Sequence, residues 1–522
     1  MDYESIYAGF LSLIPPLIAI ALALITKQVI LSLVLGILSG TLIYSLFTGL
    51  GILGTFYVAS DVMIDRAGAN AEMLIFLAML GALVAVVTRA GGSRAYGLWA
   101  SQRLKSAKGA SIATSFLGLL LFIDDYFNCL TVGTVMRPIT DKYKISREKL
   151  AYLIDSTAAP ICIIAPVSSW AVAVISNIEN AGMSGGMQTF ISTIPMNIYA
   201  LLTIFMIFWL SLRSQDDFGP MRRAQIRAEG GQVSPGDPEE IDDEIARIAV
   251  SEKGLVFDLV IPVLFLVIFS IIAMLFYGGF GSIEGTLGAR IFEAFGETEA
   301  GLALALAGFG SLFIAFFLYV PRKIMTLTEF FTAITNGVKS MVPALMILTL
   351  AWTISSVCRH LLLTGPFVAG IVAQSNFPVL LIPAIFFAIA ACLSFAIGTS
   401  WGTFGILIPI VIAVCEAVAP GLTIPTLSAV LGGAVFGDHS SPISDTTILS
   451  ATGAQCKFID HVQTQIPYAL TVAIISFIGY IIAGITSNMG YGMSVAITLP
   501  VSLALLVAAL IIIPKVLNKS KA

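Results

Sequence analysis

Few residues of this chain could do chemistry, and they fall where long apolar runs are interrupted. Asp124 and Asp125 stand side by side in Phe122-Ile123-Asp124-Asp125-Tyr126-Phe127-Asn128, with Asn128 and Thr131 following at three-residue intervals. A carboxylate at the centre of a bilayer costs about 3 kcal/mol on insertion scales, so two adjacent ones are hard to retain without a task or a counter-charge. Adjacent carboxylates repel, and taking up a proton or a cation relieves the repulsion. The pair is therefore suited to exchanging one for the other. An acid pair in a loop at the membrane surface is the plainer account of the same residues.

Asp155-Ser156-Thr157 precedes Pro160 and Pro166, with Ser168 and Ser169 beyond. Prolines remove helical hydrogen bonds and free carbonyls. Carbonyls, hydroxyls and one carboxylate make a hard oxygen set suited to Na+. A kinked helix whose hydroxyls cap their own backbone would show the same pattern. The densest cluster is Gly437-Asp438-His439-Ser440-Ser441-Pro442-Ile443-Ser444-Asp445-Thr446-Thr447. Pro442 between Asp438 and Asp445 predicts an unwound middle. An imidazole titrates near physiological pH, so His439 is able to relay a proton, or it is a hydrogen-bonded structural histidine. Asp460-His461 reads as a solvated loop pair. The uncharged stretch Gly398-Thr399-Ser400-Trp401-Gly402-Thr403 offers Thr399, Ser400 and Thr403 to a cation, and its amides to an anionic group. Asp124, Asp155 and Asp445 are the carboxylates expected to hold Na+. No residue is expected to be catalytic.

The elements that must position these groups follow from composition. Of 522 residues, 57% are hydrophobic and 11% charged, with a net charge of −4. Soluble domains carry about 25% charged residues, so a water-soluble enzyme is disfavoured, and no basic block supports nucleic-acid binding. The composition predicts an all-α polytopic membrane protein. Apolar runs of spanning length cover 6–26, 28–50, 72–87, 150–178, 190–212, 255–276, 300–319, 340–362, 426–452, 465–485 and 495–514. About 11 transmembrane helices follow. The first run lacks a small-residue cleavage site and is expected to remain as a span. Two further stretches, 111–138 and 378–417, are broken by the polar and glycine-rich centres described above, and both predict re-entrant hairpins. Irregular backbone at membrane depth is tolerated only inside protein or beside a cavity.

The positive-inside bias orients the chain. With the N-terminus outside and the C-terminus cytoplasmic, 24 of the 27 Lys and Arg fall inside, leaving Arg66, Arg290 and Arg359 outside. The segment 214–254 holds ten acids and five bases, so the acidic balance belongs to one cytoplasmic loop rather than to the transport body. Its Pro220, Gly230, Gly231, Pro235 and Pro238 predict a flexible start, and 239–250 predicts a short surface helix. The six scattered cysteines read as small apolar residues.

The two halves echo each other. Arg89 and Arg359 end corresponding spans, a hairpin follows each, and then comes a span broken at Ala165-Pro166-Val167-Ser168-Ser169 or Ser441-Pro442-Ile443-Ser444-Asp445. Five spans per half is an odd number, so the second half is expected to be inverted, a recurring design of secondary transporters. The expected organisation is a first repeat at 1–213, the loop 214–254, a second repeat at 255–487, and an extra helix and tail at 488–522. No P-loop or HExxH motif occurs. The GxSxG string at 182–186 lies in an expected outer loop, without the strand-to-helix context of a nucleophile elbow.

The stretch GDHSSPISDTTILSATGAQCKFIDHVQTQIPYAL (437–470) resembles the NhaC-type Na+/H+ antiporter family, and so does FIDDYFNCLTVGTVMRPITDKYKISREKLAYLIDSTAAPICIIAPVSSW (122–170). The family is similar in pattern to a wider ion-transporter group with two inverted repeats and paired hairpins. The resemblance implies secondary transport with Na+ and H+ as coupling ions and no cofactor. It carries the family's charged membrane motifs onto Asp124, Asp125, Asp155, Asp438, His439 and Asp445. The solute stays open, because similar members exchange Na+ for H+, exchange organic acids or take up amino acids. The leading expectation is Na+/H+ antiport by alternating access across the cell (inner) membrane. The alternative is a Na+-coupled symporter or exchanger of an amino acid or small organic acid. A channel ranks third and a membrane enzyme last. The expected partners are the lipid bilayer and a small ion or molecule, with no nucleic acid; a homodimer is one assembly open to it.

Overall fold

A computed structural model describes residues 3–26, 28–213, 216–234, 251–298, 300–364, 366–367, 378–442 and 444–519. Among them the chain is helical, without strands. The first helices are α1 (Ile14–Thr26), α2 (Val29–Phe47), α3 (Gly51–Ala69), α4 (Ala71–Ala90) and α5 (Gly92–Arg103). A first broken unit comprises α6 (Ala107–Leu120), α7 (Asp125–Lys142), α8 (Arg147–Cys162) and α9 (Ser169–Asn180). Next come α10 (Gly186–Thr193), α11 (Ile198–Leu212), α12 (Gly219–Glu229), α13 (Val256–Tyr277), α14 (Leu287–Glu297), α15 (Ala300–Tyr319) and α16 (Leu327–Ser356). The second broken unit comprises α17 (Ile382–Ile397), α18 (Ser400–Val418), α19 (Thr423–Ser440) and α20 (Asp445–Ala454), and α21 (Phe458–Thr486) and α22 (Tyr491–Lys519) close the chain.

Ten of the described helices are long and apolar enough to cross a membrane, and an eleventh span results if α10 and α11, bent by 50°, count as one. The number agrees with the sequence expectation, but the membership differs. Both arms of the second hairpin qualify, whereas the run 150–178 is divided into α8 and α9 by its Pro166 break. The 14 residues of α6 reach about 21 Å at 1.5 Å per residue, short of an about 30 Å hydrocarbon core.

Two segments differ from expectation. Residues 51–69, left in an outer loop by hydropathy, form α3, whose Gly54, Thr55, Val58, Ala59 and Val62 make one buried stripe. Asp61, Asp65 and Arg66 lower its mean hydropathy without breaking its helical period. The flexible start expected of the loop 214–254 is instead α12, packed on α8 and α21. Gln225 draws it in, accepting from the Ser146 amide at 3.1 Å and donating to the Lys144 carbonyl at 3.1 Å. The surface helix expected at 239–250 lies outside the described residues.

In lipid, helices associate through close packing at small residues. A Cβ on Gly81 would collide with the backbone of Gly337 on α16, and one on Gly133 with Gly453 on α20. A Cβ on Gly437 would stand 2.5 Å from the Ala391 carbonyl and the Phe395 amide, which fixes α19 against α17.

Polar contacts also tie the ends of the helices. Asn70 and Asn180 exchange hydrogen bonds (2.8 and 3.2 Å), Ile6 N–H donates to the Leu361 carbonyl at 2.8 Å, and Arg359 approaches the Gly182 carbonyl at 3.5 Å. Elsewhere, Arg89 pairs with Glu329 at 2.5 Å, Arg94 with Glu252 at 3.0 Å, and Arg322 with Asp258. Lys149 and Asp217 form a fully buried pair at 2.7 Å, and Tyr468 donates to the other Asp217 oxygen at 2.9 Å.

Removing one partner of a buried pair typically costs about 3–5 kcal/mol, because the other charge is left uncompensated. Asp217→Asn should therefore lower the unfolding temperature markedly, and adding Lys149→Met should recover most of the loss in the same melting assay. Gly133→Leu should likewise reduce folded yield, whereas Gly281→Ala, whose added methyl meets nothing within 4 Å, should leave it unchanged.

Candidate functional site

Four helix breaks supply the polar groups, and they meet. In the first, α6 ends at Leu120 and α7 begins at Asp125, leaving Leu121–Asp124 unwound. In the second, Pro166 separates α8 from α9. Ser168 caps α9 by accepting from the Ala171 amide at 3.0 Å, while its hydroxyl donates to the Cys162 carbonyl at 2.8 Å. The first two breaks join directly. Ser169 N–H donates to the Ile123 carbonyl at 2.9 Å, and Ser169 Oγ donates to Asp124 Oδ2 at 3.0 Å. Asn128 holds the hairpin shut, its amide reaching the Gly118 carbonyl at 2.7 Å and the Thr157 carbonyl at 2.8 Å.

The second half repeats the device with different chemistry. Gly398, in the left-handed region at φ 72°, ends α17, and Thr399 caps α18. Ser444 caps α20. Asp438 ties these breaks together. It accepts from the Ser400 amide at 3.0 Å, from Ser444 Oγ at 2.6 Å and from Thr446 Oγ1 at 3.5 Å. Ser441 Oγ donates to the Phe395 carbonyl at 2.7 Å.

Cross-contacts close a ring between the halves. Trp170, next to Ser169, packs edge-on to Trp401 and Phe404 of α18, with centroids at 6.5 and 5.6 Å. Cys129, one turn past Asp125, lies 3.2 Å from Ser450 Oγ and 3.8 Å from the Thr446 carbonyl on α20. Asp124, Asp125 and Asp438 are all buried within this ring.

A second cluster adjoins it. Gln465 on α21 donates to Asp155 Oδ2 at 2.7 Å and reaches the His439 carbonyl; His461 Nε2 lies 3.2 Å from the same Asp155 oxygen. Tyr199 of α11 meets His439 Nε2. Asp155 Oδ1, Gln465 Oε1 and the Nδ1 atoms of both histidines are buried without a hydrogen-bond partner among the described residues. Buried polar atoms are normally satisfied, so these atoms are available to a ligand or to water.

The ring and the cluster together take in most of the residues singled out from sequence. Thr131 and Ser156 are buried on α7 and α8. Several hydroxyls are used locally: Thr157 donates to Leu153 at 2.8 Å, Thr403 to Thr399 at 3.1 Å, and Ser440 to Phe436. Asp445 begins α20, and its side chain lies outside the described residues. His461 corrects the expectation of a solvated pair: it is fully buried against Asp155, and only Asp460 is partly exposed. Gln465 and Tyr199 were also missed. The signal for Gln465 was its recurrence with His461 and Tyr468 at helical spacing, which places the three on one face of α21; no spacing ties Tyr199, on α11, to His439.

The apolar helices and the family the chain matches make it a secondary transporter of the membrane rather than an enzyme. A sequence model of the Na+/H+ antiporter family matches residues 162–485, and the chain belongs to that family. It is 38% identical to an uncharacterized protein of Haemophilus influenzae over 485 residues, 91% of each chain. It is 39% identical to the arginine/ornithine antiporter ArcD of Halobacterium salinarum over 118 residues, 21% of this chain and 23% of that one. With the malate-2H(+)/Na(+)-lactate antiporter of Bacillus subtilis it shares 30% identity over 200 residues, 35% and 39% of the two chains.

Asn128→Ala would remove the hydrogen bonds its amide makes to the Gly118 and Thr157 carbonyls, at a cost of about 1 kcal/mol each. The expected result is a lower unfolding temperature, with faster proteolysis between α6 and α7.

Proposed function

We propose that this antiporter exchanges Na+ for H+ by alternating access, the two ions competing for carboxylates at the hairpins and broken helices, chiefly Asp124, Asp125, Asp155 and Asp445. The observation that carries this reading is the junction of four helix breaks around buried carboxylates, where one carboxylate anchors each half: Asp124 through Ser169, Asp438 through Ser400 and Ser444. Binding one ion excludes the other, and that competition couples the fluxes. Asp155, with one oxygen held by Gln465 and the other without a hydrogen-bond partner among the described residues, adds an oxygen ligand beside the ring.

The reading includes two inverted repeats. It is supported by matched contacts: Ser168 and Ser444 cap corresponding helices, and Trp170 against Phe404 corresponds to Thr446 against Cys129. It also places the protein in the cytoplasmic membrane, with the Lys149–Asp217 end inside and the Arg359 end outside, following the distribution of Lys and Arg.

A second reading, exchange or Na+-coupled uptake of an amino acid or organic acid, is favoured by the named substrates of the two partial relatives.

The test uses proteoliposomes with an imposed pH gradient and a Na+ pulse. Asp124→Asn or Asp125→Asn should abolish Na+-dependent proton flux, and unchanged flux would overturn the assignment. Ser169→Ala should raise the Na+ concentration for half-maximal flux about tenfold, the equivalent of one charge-assisted hydrogen bond of about 1.5 kcal/mol.

A further inference from the structure

The Asp155 cluster is sealed. Asp155, His439, His461 and Gln465 are all buried, yet Asp155 Oδ1, Gln465 Oε1 and both histidine Nδ1 atoms have no hydrogen-bond partner among the described residues. A site used in alternating access must open to one solution and then to the other, so an element covering it has to move. One approach can be traced along two helices. Lys149, Tyr152 and Asp155 follow one another at three-residue steps on α8, and Tyr468, Gln465 and His461 share a face of α21. At the far end of both rows, Lys149 pairs with Asp217 and Tyr468 donates to it. Between that pair and Asp155 stand three buried rings, Tyr152 against Tyr468 at 5.0 Å and Tyr468 against Phe218 at 4.5 Å.

Asp217 and Phe218 belong to neither row. They open the segment 217–229, which continues as α12 across α8 and α21. This segment is fastened to one short stretch, 144–149. Besides the Lys149–Asp217 pair, Arg227 pairs with buried Glu148 at 2.6 Å. Gln225 bridges the Ser146 amide and the Lys144 carbonyl, and Lys144 Nζ donates to the Glu229 carbonyl at 3.3 Å. Both ends of the segment turn on glycine in the left-handed region, Gly219 at φ +62° and Gly231 at φ +104°. Close packing does not require either one, since an added Cβ would meet nothing within 4 Å. What glycine supplies at these two points is backbone freedom, and hinges are built from such element-terminal positions. A buried ion pair makes a suitable latch. Half-opening leaves a charge dry and unpaired, which is costly, whereas full lifting returns both charges to water. Closed and fully open are therefore favoured over anything between.

We infer that the segment 217–229 is a hinged lid over the Asp155 cluster, latched by Lys149–Asp217 and plugged by Phe218, and that its lifting opens the cluster to the solution at the Lys149 end. The inference rests on the alternating-access reading and adds a moving part to it. Lys149 and Asp155 lie six residues apart on α8, about 9 Å along one helix. The carboxylate that takes the ion and the latch of the lid are thus carried by the same rigid element.

The test reads the lid through His461. The chain has three histidines, and mass spectrometry can follow the acylation of each by diethyl pyrocarbonate on the full chain in nanodiscs. Exposed His360 is the reference. His461 should react slowly in the wild type. Gln225→Ala, which loosens the lid without touching the cluster, should speed His461 about tenfold, the weight of the two hydrogen bonds it removes, and leave His360 unchanged. Lys144→Cys with Glu229→Cys, joined by a short reversible bis-thiosulfonate reagent, should protect His461, and a reducing agent should restore its reactivity. The single cysteine variants, treated identically, control for the native thiols. Equal His461 reactivity with the lid bridged and free, or no change in Gln225→Ala, overturns the inference; the second arm decides if the double-cysteine variant does not fold. Na+/H+ exchange is measured on the same proteins in liposomes, where bridging should stop it and reduction restore it. Exchange that continues through a bridged lid removes this inference alone. A lid that protects His461 in a chain without exchange removes the Na+/H+ reading alone.

Discussion

An unwound peptide inside a bilayer has no water to bond to, and each unsatisfied group costs several kcal/mol. That constraint organises this molecule. The breaks at 121–124 and 163–168 solve it jointly, through Ser169 N–H on the Ile123 carbonyl. The breaks near 398–399 and 441–444 solve it through Asp438 and through Ser441 on the Phe395 carbonyl. Each break is satisfied partly by its own helices, as Ser168 on the Ala171 amide and the Cys162 carbonyl, and partly by another break. The carboxylates Asp124 and Asp438 lie at these junctions.

The energetic contrast between the two kinds of buried acid is instructive. Asp217 is compensated in full, by Lys149 on one oxygen and Tyr468 on the other, and it holds α8, α21 and the start of the loop together. The ring acids meet hydroxyls and amides instead. Ser169 serves Asp124, and a backbone amide with Ser444 and Thr446 serves Asp438.

Much of this was legible in the sequence, because bilayer physics writes in long apolar runs and expensive exceptions. Asp124-Asp125, Pro166-Val167-Ser168-Ser169 and Asp438 through Asp445 announced the breaks by interrupting hydrophobic segments. What escaped notice was whatever depended on a partner distant in sequence. His461, close behind Lys457, looked like a loop residue because hydropathy has no knowledge of Asp155. The helix at 51–69 was hidden because Asp61, Asp65 and Arg66 dilute its average, although its buried stripe keeps a helical period. The helix 219–229 looked flexible because its Pro and Gly lie at its two ends, where they act as start and stop signals, and because Gln225 docks onto a turn some 80 residues earlier.

The span of the ring along the chain has a consequence for how the protein is made. Asp124 and Asp125 are synthesised long before the second-half residues that pack on their neighbours, Trp401 and Phe404 on Trp170 and Thr446 and Ser450 on Cys129. During that interval the first hairpin has only Ser169, Asn128 and their neighbours to satisfy it. A nascent first half therefore carries two acids and an open seam into the membrane, and it must be kept apart from competing helices until the last third of the chain arrives to close it. Truncations and late frameshifts would release a species that is inserted but unfinished, with its most polar surface facing lipid. Quality control in the membrane would have its clearest target there.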